Sequence, residues 1–354
     1  MTINLDDLQA LRANDPAGML DRIHELPAQV RDAWDAIQTF QPPRREIRHV
    51  VVAGMGGSAI GGSLVQALAE PECPVPISVN RDYHLPAYVG KDTLVIASSY
   101  SGNTEETLSA LDEALTSGAI TVGVTTDGRL AEIARERGFQ HVLFNYDAPP
   151  RAAVGHSFTL LLGLLVRFGL LADKADEVAE AVDVMLRLQR VLGPQVPAAR
   201  NPAKDLARRL AGKVPTIYGA GLLAPVARRW KGQFNENAKT WAAFDEMPEL
   251  NHNTVLGYGH PSHLTETAFV IMLRSSLEDP QIATRFDITA ELLERAGIDH
   301  AVVTAWGESP TAQMLSALHY GDYVSYYLAA LNQEDPTPIP AIDYLKRRLQ
   351  VEGG

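Results

Sequence analysis

The chain has 354 residues, of which 46% are apolar and 21% charged, with a formal net charge of −12. That length suits two folded domains rather than one core, and the composition excludes a disordered chain. The acidic balance argues against nucleic acid, which demands clustered cations, yet a small anionic substrate can be held by helix N-termini and a few local cations.

The opening MTINLDDLQALRANDP is acidic and lacks an apolar centre, so it does not read as a secretory leader. Residues 5–40 are predicted to be largely helical: Met19, Ile23, Leu26, Val30 and Trp34 recur at threes and fours, and Pro27 either kinks the segment or opens a new helix. HVVVAGMGGSAIGGSLVQALAE then reads as strand, glycine turn and helix. PISVN, TLVIASS, ITVGVTT and HVLFN follow as short β-branched runs, with ETLSALDEALTSG and LAEIARERG between them at helical spacing. Strands alternating with helices predict parallel βαβ units.

The lone cysteine, Cys73, rules out an intramolecular disulfide. A reducing compartment, the cytoplasm, fits, and Cys73 is expected to be a small buried residue. Leu160–Ala172 is the most apolar run, but it is short and interrupted by Arg167, so it reads as a buried helix within a helical stretch at 156–192 rather than a membrane span.

GPQVPAARNPAK is rich in proline and small residues. It places an N-terminal domain at 1–192, a linker at 193–204 and a C-terminal domain at 205–354. VPTIYGAGLLAPVARRWKGQF then repeats the strand–glycine–helix order, with Gly219-x-Gly221 answering Gly54-x-Gly56. AFVIMLR and HAVVTAW read as strands, with helices at 283–296 and 310–331. The pattern predicts two similar α/β sandwiches in tandem, although two unrelated α/β domains would produce it too. DPTPIPAIDYLKRRL closes the chain as a proline-stiffened segment and a short basic helix.

Four segments carry chemistry. The turn Gly54–Gly61 follows a strand and opens a helix, so it suits a phosphate or a dinucleotide, or simply close helix–strand packing. A dinucleotide would need an acidic ribose partner, and Asp82 alone offers itself, later than expected. In SSYSGNTEET, the hydroxyls of Ser99, Ser101 and Thr104 stand where a buried strand passes into a helix, so each can donate to a phosphate oxygen. The plainer alternative is a capping box of Asn103 and Glu106. Arg151, after Pro149-Pro150, is a guanidinium on a stiffened loop.

The fourth segment is WKGQFNENAKTWAAFDEMPELNHN, which gathers Glu236, His252 and four asparagines. A carboxylate and an imidazole can move protons near neutral pH. An ordinary helix would instead leave Glu236 exposed and paired with Lys239. Asn235 and Asn237 argue against that, since asparagine is a poor helix former with no evident structural reward here. No metal set emerges: His260 and His263 are three apart but lack a third ligand, and one cysteine cannot build a thiolate site.

Gly56-Gly57-Ser58, SYSGNTEE, Pro150-Arg151, FNENAK, MPELNHN and IDYLK together resemble the bifunctional phosphoglucose/phosphomannose isomerases over nearly the whole chain. The resemblance implies an α/β fold of two tandem sugar isomerase (SIS) domains, each a parallel five-stranded sheet flanked by helices. It implies a homodimer with sites at the subunit interface and neither a metal nor an organic cofactor. Ser58, Ser99, Ser101 and Thr104 would hold the substrate phosphate, with the backbone of Gly56 and Gly57 in the pocket. Glu236 would shuttle a proton between C2 and C1 through a cis-enediol, and Arg151 would stabilise its charge. His252, from a partner subunit, would help open the sugar ring, and Lys346 would assist near the ring oxygen. Sugar phosphates are the expected partners, with no nucleic acid and no membrane. Departures are His156-Ser157 after Arg151 and Thr254 after LNHN, where an acidic residue often stands. The competing readings are an isomerase of another phosphosugar, a non-catalytic SIS sugar-phosphate binder, and a nicotinamide-dependent oxidoreductase.

Overall fold

A computed structural model describes residues 3–352. The chain opens with helices α1 (Leu8–Ala13), α2 (Met19–His24) and α3 (Leu26–Ile37). Asp7 caps α1 by accepting from the amides of Gln9 and Ala10. Pro27 opens a helix rather than kinking one: it sits in the first turn of α3, where a missing N–H costs nothing.

The first α/β unit runs β1 (His49–Ala53), α4 (Gly56–Ala69), β2 (Ile77–Asn80), β3 (Thr93–Ser98), α5 (Glu105–Thr116), β4 (Ile120–Thr125), α6 (Gly128–Arg137) and β5 (Gln140–Leu143). The sheet is parallel throughout, in the order β2-β1-β3-β4-β5. β3 and β4 are buried along their whole length, which explains their unbroken apolar sequence: helices cover both faces. The chain leaves β1 to one side for β2 and returns on the other for β3. The crevice at the carboxyl ends of β1 and β3 is therefore a topological switch point, where open α/β sheets bind ligands. Cys73, expected to be buried, is only half-buried in the turn beyond α4.

Helices α7 (Val154–Arg167), α8 (Ala175–Leu192) and α9 (Pro202–Leu210) lead into the second unit: β6 (Val214–Ala220), α10 (Ala224–Glu236), β7 (Ala243–Met247), α11 (Leu264–Thr267), β8 (Ala268–Arg274), α12 (Pro280–Ala296) and β9 (Asp299–Thr304). Among the described residues its parallel sheet has four strands, ordered β7-β6-β8-β9, not the expected five. The next helix, α13 (Pro310–Asn332), runs into Asp335-Pro336-Thr337-Pro338, whose prolines cannot donate to a ladder, and α14 (Pro340–Glu352) follows. β7 was not anticipated, because an edge strand reading AFDEM is too polar to stand out.

α13 is buried on nearly every side and packs against α8, α9 and α10, so one apolar core runs through both halves. The segment 193–204 joins that core instead of swinging clear of it. The fully buried Lys204 ammonium donates to Asp6 and to the carbonyls of Pro194 and Val196, and Asn201 caps α9. Among the described residues, no helix is long and apolar enough to cross a membrane.

Candidate active site

Two loops form the first crevice. The loop after β1 delivers Gly56 and Gly57 to a cavity of about 300 Å³ that also meets Arg151 and Glu236. Gly57 is there for approach distance. A Cβ on it would lie 2.8 Å from the Pro150 carbonyl, so only glycine lets α4 rest on the turn Pro150–Ala153 that carries Arg151. The side chain of Ser58 is 7% exposed and faces a small enclosed space beside Ser98, Tyr100 and Ser157.

The loop after β3 holds the hydroxyl cluster. Ser99 is buried, with its Oγ 2.9 Å from Thr104 Oγ1, while Ser101 is exposed and Thr104 half-buried. The anticipated capping alternative does not form. Thr104 occupies the N-cap of α5 without a side-chain capping bond. Asn103 instead donates to the Ser101 carbonyl and accepts from the amide of Arg129. The first turn of α5 therefore keeps amides that no side chain caps, as an anion site requires. Gly102 adopts φ +67°, and a Cβ there would collide with the Asp127 carbonyl. Ser101 and Thr104 line a second cavity of about 650 Å³, shared with Tyr83 and Lys346. Lys346, exposed on α14, thus stands beside the hydroxyl loop rather than beside Glu236.

Glu236 ends α10, and its side chain is 33% exposed at the 300 Å³ cavity. Arg151 meets it from the other half of the chain, with Nη1 3.6 Å from a Glu236 carboxylate oxygen. That guanidinium is 4% exposed and tightly held: Nε donates to Asn237 Oδ1 at 2.8 Å, and Nη2 donates to the carbonyls of Pro336 at 2.6 Å and Thr337 at 2.9 Å. Nη1 has no hydrogen-bond partner among the described residues. Burial pushes the Arg151 pKa down and the nearby Glu236 opposes this; a guanidinium stays charged regardless.

A buried network supports the pair. Asn237 donates to Ser325 Oγ at 3.0 Å. Arg229 donates to the Arg151 carbonyl and to both oxygens of the buried Asp322, which also accepts from Gln233. The asparagines therefore do have a structural reward, contrary to the sequence reading. Asn237 is the fully buried C-cap of α10 and positions Arg151, and Asn235 donates to the Thr240 carbonyl. The pairing of Lys239 with the Glu236 side chain is absent. Lys239, at φ +52°, donates to the backbone carbonyls of Glu236 and Asp335. The residues that sequence reasoning missed are Asn237, Arg229, Asp322 and Ser325. The asparagine in FNEN was a visible signal with the wrong explanation attached; the others looked like ordinary helix residues.

His252 is exposed in the turn Glu249–His252 and lines neither cavity. Within one chain it therefore shares no cavity with Glu236. Among the described residues, no group of three or more His, Cys, Asp or Glu side chains is arranged to hold a metal.

The second sheet has its own switch point, between β6 and β8, but its hydroxyls are already committed. Ser275 Oγ donates to Gln313 Oε1 at 2.7 Å, and Gln313 Nε2 donates to Ser276 Oγ at 2.6 Å. A buried glutamine fills the space where the first half keeps an open cradle.

Residues 199–349 match the family model for the bacterial phospho-glucose isomerase C-terminal SIS domain. The bifunctional phosphoglucose/phosphomannose isomerase of Caldicellulosiruptor bescii is 42% identical over 334 residues, covering 94% of this chain and 98% of that protein. The protein of the same description from Aquifex aeolicus is 34% identical over 318 residues, covering 90% and 94%. Among solved structures, the C-terminal domain of glucosamine-fructose-6-phosphate aminotransferase from Francisella tularensis superposes with a TM-score of 0.73 at 15% identity, covering 90% of this chain and 98% of that one, a likeness of fold alone. With two parallel sheets, one open cradle and full-length relatives of this kind, the chain belongs to the bifunctional phosphoglucose/phosphomannose isomerase family.

Proposed function

We propose that the protein interconverts glucose 6-phosphate and mannose 6-phosphate with fructose 6-phosphate, in the cytoplasm, by proton transfer through a cis-enediol intermediate. The observation that carries this reading is the pairing of Glu236 with a buried, fourfold-anchored Arg151 whose Nη1 has no other partner. A carboxylate beside a fixed guanidinium suits removal of a proton from carbon and stabilisation of the oxyanion that results.

In this reading the substrate phosphate sits on Ser99, Ser101, Thr104 and the α5 N-terminus, with Ser58 and the Gly56–Gly57 backbone supporting the adjacent loop. The phosphate is remote from the reacting carbons, so its binding energy positions them. Glu236 takes the proton from C2 and returns it to C1, while Arg151 Nη1 holds the charge developing on the enediol oxygens. For mannose 6-phosphate the same enediol is reached from the opposite C2 epimer. Ring opening needs a proton donor and acceptor at the ring oxygen and O1. His252 of a second copy supplies it in a homodimer, with Lys346 of α14 closing over the phosphate end. The division at 193–204 then separates a phosphate-binding half from a half that brings the base.

The test is a coupled assay with chelator present, on wild type, Glu236→Gln and His252→Ala, singly and after mixed reassembly. Glu236→Gln is expected to lower turnover of both aldoses at least about 10²-fold. Random pairing of the two variants leaves one site in heterodimers with neither substitution, so about a quarter of wild-type activity should return if His252 acts across the interface. No recovery refutes the shared site. No turnover by folded wild-type protein refutes the isomerase reading and favours a phosphosugar binder.

A further inference from the structure

The 300 Å³ cavity holds more positive charge than one Glu236 balances. Arg81, Arg151, Arg228, Arg229 and Lys231 all line it, and among the described residues Glu236 is the one carboxylate that does. Arg229 is matched by Asp322, and Arg151 lies against Glu236. Arg81, Arg228 and Lys231 form no ion pair with any carboxylate among the described residues. Elsewhere some clustered charges are matched, as where Arg129 takes Glu132 and Glu136, Arg274 takes Glu278 and Asp287, and Lys174 takes Glu72 and Glu177. Cations that converge on one cavity repel one another, and an anion among them relieves that repulsion.

Two of the three are also held in place. Arg81 follows β2, and its Nη2 donates to the Ala59 carbonyl at 3.3 Å and to Ser63 Oγ at 2.5 Å, on the flank of α4. Arg228 stacks on the Phe244 ring, 5.2 Å from its centroid. Lys231 is one turn further along α10. Arg81 and Arg228 are near enough to repel each other, and burial together with that repulsion weakens the hold of Arg81 on its proton. The hydroxyl loop, by contrast, opens on the other cavity. A single phosphate seated on Ser99, Ser101 and Thr104 would leave these cations unanswered.

We propose that Arg81, Arg228 and Lys231 form a second phosphate subsite beside Glu236, so that sugars phosphorylated at both ends bind as inhibitors. The proposal rests on the isomerase reading only for the seat of the first phosphate. A ketose whose C1 oxygen is esterified cannot become a C1 aldehyde, so such a sugar occupies the site without turnover.

Calorimetric titration of the full chain at fixed ionic strength tests this, using fructose 1,6-bisphosphate, fructose 6-phosphate and inorganic phosphate on wild type and on the double variant Arg228→Ala/Lys231→Ala. Both substitutions lie on the outer side of α10, and a thermal melt checks folding. Wild type is expected to bind the bisphosphate at least about tenfold more tightly than the monophosphate, and the double variant to lose at least about tenfold for the bisphosphate alone. Inorganic phosphate that binds the fructose 6-phosphate complex, and is lost in the variant, shows that the subsite also takes the free ion. Equal affinities for the two sugars in wild type, or a parallel loss for both in the variant, overturn the proposal. So does a change of oligomeric state in the variant by sedimentation, which would assign these cations to carboxylates of a second copy. If fructose 6-phosphate fails to bind while inorganic phosphate binds in a variant-sensitive way, the isomerase reading falls and the subsite stands.

Discussion

Asn237 holds Arg151 by Nε and is itself held by Ser325, so one buried amide sets the angle of the guanidinium that faces Glu236. Removing it leaves the buried Arg151 Nε without an acceptor and Ser325 Oγ without its donor, and lets Nη1 drift. Asn237→Ala is expected to lower kcat about 10- to 100-fold with KM changed less than about threefold, because the phosphate seat is untouched. Asn237→Asp, which keeps the acceptor, should recover a large part of kcat. Steady-state kinetics decide it: a rise in KM with kcat unchanged would refute the positioning role. Unfolding should also be easier in Asn237→Ala by about 1–3 kcal/mol, the cost of buried polar groups left unpaired.

At the scale of elements, the β3–α5 loop is shaped by a neighbour rather than by its own sequence. Gly102 donates to the Ser99 carbonyl, accepts from the amide of Leu130 and lies against the Asp127 carbonyl, so the β4–α6 loop moulds the hydroxyl cluster. A side chain at Gly102 meets both a backbone clash and a left-handed φ. Gly102→Ala is therefore expected to raise KM for fructose 6-phosphate about tenfold or more, with a smaller effect on kcat. An unchanged KM would show that this loop does not seat the phosphate. The strands and helices of the first unit were legible because buried parallel strands are apolar from end to end. β7 was not, because an edge strand exposed on one side need not be apolar. The resemblance also overcounted: it implied five strands in the second sheet, where the described residues form four.

The whole molecule carries a liability to acid. His319, on the central helix α13, is fully buried beside Tyr323, and burial pushes its pKa down to about 3. Burial lowers that of His156 as well. A histidine whose folded pKa lies below its unfolded value of about 6.5 costs nothing above that pH. Below it the unfolded chain takes a proton that the folded chain refuses, so stability falls with pH, down to the folded value. For His319 alone the slope is about 1.4 kcal/mol per pH unit, or about 2 kcal/mol between pH 6.5 and 5. Denaturant unfolding at pH 7 and pH 5 should show a pH dependence weaker by about that amount in His319→Phe, which keeps the aromatic contact but cannot titrate. An identical pH dependence in the two proteins would mean that His319 binds its proton alike in the folded and unfolded chains.

What the sequence determined by itself was local. The alternation of apolar strands with amphipathic helices specifies parallel sheets, because each run must bury its own apolar residues. The glycine and hydroxyl loops are legible because a strand-to-helix turn is completed within a few residues. The tertiary structure decided everything that depends on distant residues. Arg151, Glu236, Pro336 and Ser325 are far apart in the chain and meet only because α13 packs one core through both halves. The same packing committed Ser275 and Ser276 to Gln313, leaving one open hydroxyl cradle beside a cavity ringed by cations. Residues this far apart leave no periodicity in the sequence, since their meeting is set by how helices pack and not by spacing along the chain.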